Sequence, residues 1–170
     1  MSELARIAKQ TLRCPHYLEY FEKIRDLLTD YGVAVVHTIG GAVGPSAANP
    51  WIQKYIFPGG YAPALSEIVP VIERVGLYIT DIEVLRLHYA ETLRAWRKRF
   101  LASRALIASL YDERFCRMWE FYLAGCEAVF RHAGVVTFQI QLSKRIDTVP
   151  LTRDYLTDWE RRHSDGAATG

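Results

Sequence analysis

Seven consecutive residues, Val33-Ala34-Val35-Val36-His37-Thr38-Ile39, set the tightest limit on how this chain folds. Side chains along a strand point alternately to opposite faces, and here both rows are mostly apolar, so the segment predicts a strand covered on both sides. Such strands are the usual members of parallel sheets packed between helices. The same segment would make an unusual edge strand, because edges are ordinarily blunted by charge or proline. It therefore calls for a neighbour that the chain does not obviously supply. Ahead of it, Tyr17, Tyr20, Phe21, Ile24, Leu27 and Leu28 recur at three- and four-residue spacing, the stripe of a half-buried helix, and Gly32 suits its close. Helix followed by buried strand is the rhythm of an α/β fold.

Residues 42–63 carry Pro45, Pro50, Pro58, Pro63, Gly44, Gly59 and Gly60, which argues against regular structure, yet they also hold Trp51, Tyr55, Phe57 and Tyr61. A long aromatic connection reads as a lid or pocket wall, with plain core filling as the alternative. Ser66 is placed to cap a helix running to about Arg74, with Pro70 in its first turn and Gly76 at its end. Leu77 to Leu85 alternates as a strand. Leu93, Trp96, Phe100, Ile107 and Leu110 share one side of a helix over 92–110, and Asp112 caps a second that Gly134 closes. Val135 to Leu142 alternates strictly, with Thr137, Gln139 and Gln141 on the polar side. Residues 145–170 read as a polar tail, frayed over 164–170.

At 170 residues the chain fits one domain. Twenty-one Lys and Arg against nineteen Asp and Glu leave a charge of +2, which excludes a basic nucleic-acid arm as the main theme. No apolar run approaches the ~18 residues that span a bilayer. Cys14, Cys116 and Cys126 are odd in number and lack CxxC spacing, so they read as reduced thiols of a cytoplasmic protein with no metal site.

Several segments, taken in order, resemble the cyclopropane-fatty-acyl-phospholipid synthase family, which includes the mycolic acid cyclopropane synthases. They are Tyr17-Leu18-Glu19-Tyr20-Phe21, Val36-His37-Thr38-Ile39-Gly40, Lys54-Tyr55-Ile56-Phe57-Pro58-Gly59-Gly60 and His88-Tyr89-Ala90-Glu91-Thr92-Leu93-Arg94-Ala95-Trp96. To these are added Arg117-Met118-Trp119-Glu120-Phe121-Tyr122-Leu123-Ala124-Gly125-Cys126-Glu127 and Phe138-Gln139-Ile140-Gln141. The resemblance implies a partial Rossmann-like class I methyltransferase sheet, its C-terminal strands, with a two-helix insertion before the last strand. It implies methylene transfer from S-adenosylmethionine to the cis double bond of phospholipid acyl chains. It also implies a bicarbonate base held by His37, the Ile39 amide and Tyr89, with His37 and Tyr89 as the catalytic candidates. Trp51, Tyr55, Phe57 and Tyr61 would line the acyl pocket. The expected partner is unsaturated phospholipid at the inner face of the membrane, and the expected place is the cytoplasm, peripheral to that face.

The chain departs from the family pattern in the donor-binding half. No GxGxG loop occurs, and the ribose-binding acid and an early cysteine are missing. The family's Glu position falls on Gln10, within Ala8-Lys9-Gln10-Thr11-Leu12-Arg13. The expected organisation is therefore an unmatched segment over 1–15, the C-terminal half of a methyltransferase domain over 16–144, and a tail over 145–170. A truncated synthase would need a second chain to supply its N-terminal half. The alternatives are a small-molecule (amine) methyltransferase of the same superfamily and a non-catalytic remnant.

Without the resemblance, His37 is a hydrogen-bonded histidine at a strand end, where ligand sites of open α/β sheets gather. Tyr89 is an aromatic at a helix start. Arg94, Arg97, Lys98 and Arg104 fall within an arc of about 120°, either a solvated face or one drawn to anionic headgroups. Glu91 and Glu120 read as surface carboxylates, and Cys116 and Cys126 as small core residues.

Overall fold

The structure, a computed structural model, describes residues 16–164; the expectations for residues 1–15 and 165–170, Cys14 and Gln10 among them, lie outside the described residues. Helix α1 (Tyr17–Leu27) leads into β1 (Val33–Gly41). A short hairpin of β2 (Ser46–Ala47) and β3 (Tyr61–Ala62) frames α2 (Pro50–Tyr55), and α3 (Leu65–Val75) and β4 (Tyr78–Val84) follow. Then come α4 (His88–Ala102), α5 (Arg104–Leu110), α6 (Glu113–His132), β5 (Val135–Ser143) and α7 (Asp154–Ser164).

The main sheet has the order β1-β5-β4, and β5 runs antiparallel to both neighbours. This corrects the parallel pairing expected for β1. The cause lies in the insertion. Arg131 near the end of α6 pairs with Glu91 at the start of α4, and Arg104 just beyond α4 pairs with Glu113 at the start of α6. The two helices thus form a hairpin that returns the chain to the end of the sheet it left, and β5 must run back. The expected two-helix insertion is three helices, because the 92–110 pattern breaks at Ser103.

Helices α1 and α3 cover one face of the sheet. Tyr17, Phe21, Ile24, Ile68 and Ile72 pack there against Val36, Phe138, Ile140 and Leu142. The other face of β1 is bare: Val33, Val35 and Ile39 are exposed, Val35 by 59%. The cover expected on both faces is present on one. Strand β1 also holds a sheet edge. Among the described residues its outer side meets only Pro63 and Ala64, through the Gly41 N–H. That crossing explains Gly40, since a Cβ there would collide with the Phe138 ring and the Pro63 carbonyl, whereas a Cβ on Gly41 would strike the Gly44 carbonyl.

Three local expectations change. Residues 42–63 are not irregular throughout; the Asn49 side chain caps α2 by accepting from Trp51 N at 2.7 Å. Ala64, not Ser66, precedes α3, so Pro70 falls in the helix interior, on an exposed flank where the lost N–H is least costly. Part of the polar tail forms α7, tied to the sheet by Arg153–Asp81 and by Tyr155 OH donating to Gln141 Oε1 at 2.8 Å.

Candidate functional site

Alternation along β1 puts Val35, His37 and Ile39 on the bare face, and the register sets them opposite Gln141, Gln139 and Thr137 of β5. His37 Nδ1 and Gln139 Nε2 lie 3.4 Å apart, which leaves the far ring nitrogen free. The Ile39 amide can be placed by geometry. Gly41 N–H points away from β5, to Pro63 O at 2.9 Å. Two residues back along a regular strand the N–H points the same way, so the Ile39 amide lies on the free edge. The far nitrogen of the His37 ring and the Ile39 amide are therefore two polar groups two positions apart on one strand, neither with a hydrogen-bond partner among the described residues.

Tyr89 is brought to the same end of the sheet by a chain of backbone bonds: Leu85 N–H donates to Thr137 O at 2.9 Å, and His88 N–H to Leu85 O at 2.8 Å. It lies beyond β5, however, and its ring packs on Phe130 at 4.9 Å in the helical core. Among the described residues no hydrogen bond joins Tyr89 to His37 or Ile39. Burial, with Cys126 nearby, pushes the Tyr89 phenol up, so near neutral pH it keeps its proton and has an O–H to donate. Cys126 itself is raised to about 11 by burial, and Tyr122 to about 12 by burial with Cys126 and Tyr89 beside it.

The four aromatic residues do not form one wall. Trp51 and Tyr55 line a cleft of about 630 Å³ against α6, whereas Phe57 packs on Tyr122 and the Tyr61 hydroxyl donates to Glu67 at 2.6 Å. Glu91 and Glu120 are ion-paired surface groups, to Arg94 and Arg131 and to Arg97. Cys116 is buried and Cys126 partly so.

One residue at this end escaped the sequence reading. Thr137 is 1% exposed, and its Oγ1 has no hydrogen-bond partner. The alternation of β5 places it on the His37 face, directly opposite Ile39. That register was the signal available, and it needs the strand pairing to be read. Donor binding is different: no GxGxG loop stands in the sequence, and among the described residues the bare edge of β1 offers amides but no cradle, so these residues do not fit S-adenosylmethionine by themselves.

Comparison with known proteins locates the chain. The family model described as mycolic acid cyclopropane synthetase matches residues 8–140. The chain is similar to tuberculostearic acid methyltransferase UfaA1 of Mycobacterium tuberculosis, with 52% identity over 91 residues, covering 52% of this chain and 21% of that protein. It is 35% identical over 132 residues to the cyclopropane-fatty-acyl-phospholipid synthase of Escherichia coli, covering 78% of this chain and 34% of the relative. Mycolic acid cyclopropane synthase CmaA1, solved with SAH and CTAB, superposes with a TM-score of 0.67 at 25% identity, over 75% of this chain and 50% of that one. The chain thus spans about half of that solved structure and about a fifth and a third of the two curated relatives. With its mixed α/β sheet, helical insertion and family match together, this chain belongs to the mycolic acid cyclopropane synthetase family of S-adenosylmethionine-dependent methyltransferases.

Proposed function

We propose that this chain forms the acceptor side of a cyclopropane-fatty-acyl-phospholipid synthase-type methyltransferase, with the donor-binding side supplied from outside these 170 residues. One observation carries the reading: β1, apolar on both faces, is bare on its outer edge and on one face, in a chain that spans half of its solved relative. An exposed apolar row with unpaired amides is the surface a further strand and layer would cover. The names of both curated relatives point to fatty-acyl chemistry, tuberculostearic acid in one and a fatty-acyl phospholipid in the other.

S-adenosylmethionine, held by the donor-binding side, would supply a methyl group to the acyl double bond, and a base would have to take up the proton released. On this chain, the free nitrogen of His37 and the Ile39 amide are the groups to hold a bicarbonate ion as proton acceptor. Tyr89, kept protonated by its packing, is a donor at the same end of the sheet. The work would take place in the cytoplasm at the inner face of the membrane, on unsaturated phospholipid.

Co-expression of the chain with a separate polypeptide bearing a glycine-rich donor loop tests this reading, with isotope-labelled S-adenosylmethionine and analysis of both lipid and water-soluble extracts. Label in acyl chains only when both polypeptides are present is the expected result. Label in amines instead would establish the small-molecule reading, and no label in either extract would establish a non-catalytic remnant.

A further inference from the structure

The corner where α5 meets α6 has no part in the chemistry just described. On α6, Arg114, Arg117, Met118 and Phe121 recur at i, i+3, i+4 and i+7 and line the cleft facing α2. Across it, Trp51 stands edge-on to Phe121 with ring centres 4.8 Å apart, and Tyr55 tilts over Trp51 at 5.4 Å. The Lys54 ammonium lies 5.1 Å above the Tyr55 ring. Beside the cleft, Leu106, Leu110 and Tyr111 are 64–68% exposed. The Tyr111 ring stacks at 4.5 Å on Phe115, itself a lining residue, so the apolar knob and the aromatic cleft are one surface.

The charge on this surface is uneven. Arg104 and Arg117 share Glu113, and the Asp112 carboxylate accepts the Phe115 N–H at 2.6 Å as the cap of α6. Lys54 and Arg114 have no carboxylate partner among the described residues. Four cations thus stand against two carboxylates, both of them engaged. On α4, Arg94 pairs with Glu91 and Arg97 with Glu120, while Lys98 and Arg99 have no carboxylate partner among the described residues but stand beside no comparable cluster of exposed leucine and aromatic rings lining a cleft. Exposed leucine and aromatic rings rimmed by uncompensated cations are the composition of a surface that settles into an anionic bilayer interface. No helix among the described residues is long and apolar enough to cross a membrane, so attachment of this kind would be to the surface.

We propose that the α5–α6 corner is the membrane-docking face of this chain: Leu106, Leu110 and Tyr111 enter the interface of an anionic phospholipid bilayer while Lys54 and Arg114 meet headgroup phosphates. The proposal deepens the reading of a lipid acyl acceptor and rests on it for its purpose, but its test needs neither donor nor turnover. The 170-residue chain is titrated with phosphatidylglycerol vesicles and with phosphatidylcholine vesicles at low and high salt, and the bound fraction is read by flotation. Binding to the anionic vesicles, at least tenfold weaker on the zwitterionic ones and weakened by salt, is expected. A near-surface cation is worth about fivefold in partition, so Lys54→Gln with Arg114→Gln lowers binding about twentyfold. Leu106→Ser with Leu110→Ser weakens it further, whereas Arg94→Gln with Arg97→Gln leaves it within twofold. All these positions but Arg97 are exposed, and circular dichroism of each variant confirms that it is folded. Equal binding to both vesicle types, no binding to either, or a loss confined to the α4 variant would overturn the proposal. Vesicle binding without acyl labelling in the co-expression experiment would instead leave docking intact and remove the proposed function.

Discussion

At the scale of single residues, the site rests on two positions of opposite character. His37 is exposed on a bare face and makes only the long 3.4 Å contact with Gln139, so His37→Ala is expected to change the thermal midpoint of the chain little. In the complemented enzyme it should lower kcat by up to about 10²-fold, because the proposed bicarbonate base, whose proton transfer carries that weight, loses one of its two holders; unchanged turnover would remove His37 from the site. Gly40 is the reverse. Its missing side chain lets Phe138 and Pro63 close on β1, and Gly40→Ala should cost about 1–3 kcal/mol in urea unfolding through overpacking. The strand-end placement of His37 and Ile39 and the helix-start placement of Tyr89 were legible because each falls at the edge of a local pattern, whereas their roles rest on the resemblance alone. Thr137 was not, because a threonine on the polar side of a strand looks ordinary until pairing sets it, buried and unpartnered, across from Ile39. The aromatic quartet was named as one wall because all four fall in one loop, but α2 and the β2–β3 hairpin turn them to three different neighbours.

Among the elements, α6 carries the clearest solution signature. In the unfolded chain the Cys126 thiol and Tyr122 phenol titrate near their ordinary 9.0 and 10.0; in the fold burial moves them to about 11 and about 12. A folded-state value above the unfolded one favours folding at low pH and ceases to as pH rises, so this contribution is complete below pH 9 and falls away between 9 and 11. The thermal midpoint should drop over that window, and Cys126→Ala should flatten the early part of the drop; an identical slope in the variant would contradict the burial of this thiol. The helices were legible because amphipathic stripes and caps are local signals, as Asp112 and Gly134 show at the two ends of α6. The direction of β5 was not local. It follows from the antiparallel packing of α4 on α6, which no periodicity records. The break at Ser103 was also hidden, since Ile107 and Leu110 continue the stripe of α4 across it.

Over the whole molecule, the bare side of β1 separates a self-contained domain from one face of a larger assembly. Val35→Lys is a discriminating variant. At 59% exposure it should change the stability of the chain alone by less than about 0.5 kcal/mol, while placing a charge where a covering layer would sit. Co-purification with a donor-binding polypeptide should then be lost; retained assembly, or a large loss of stability in the chain alone, would mean that this face needs no external cover. Calorimetric titration with S-adenosylmethionine tests the central claim most directly. The chain alone should show no heat of binding up to about millimolar donor, and micromolar affinity should emerge with the complementing polypeptide present. Micromolar binding to the chain by itself would contradict it.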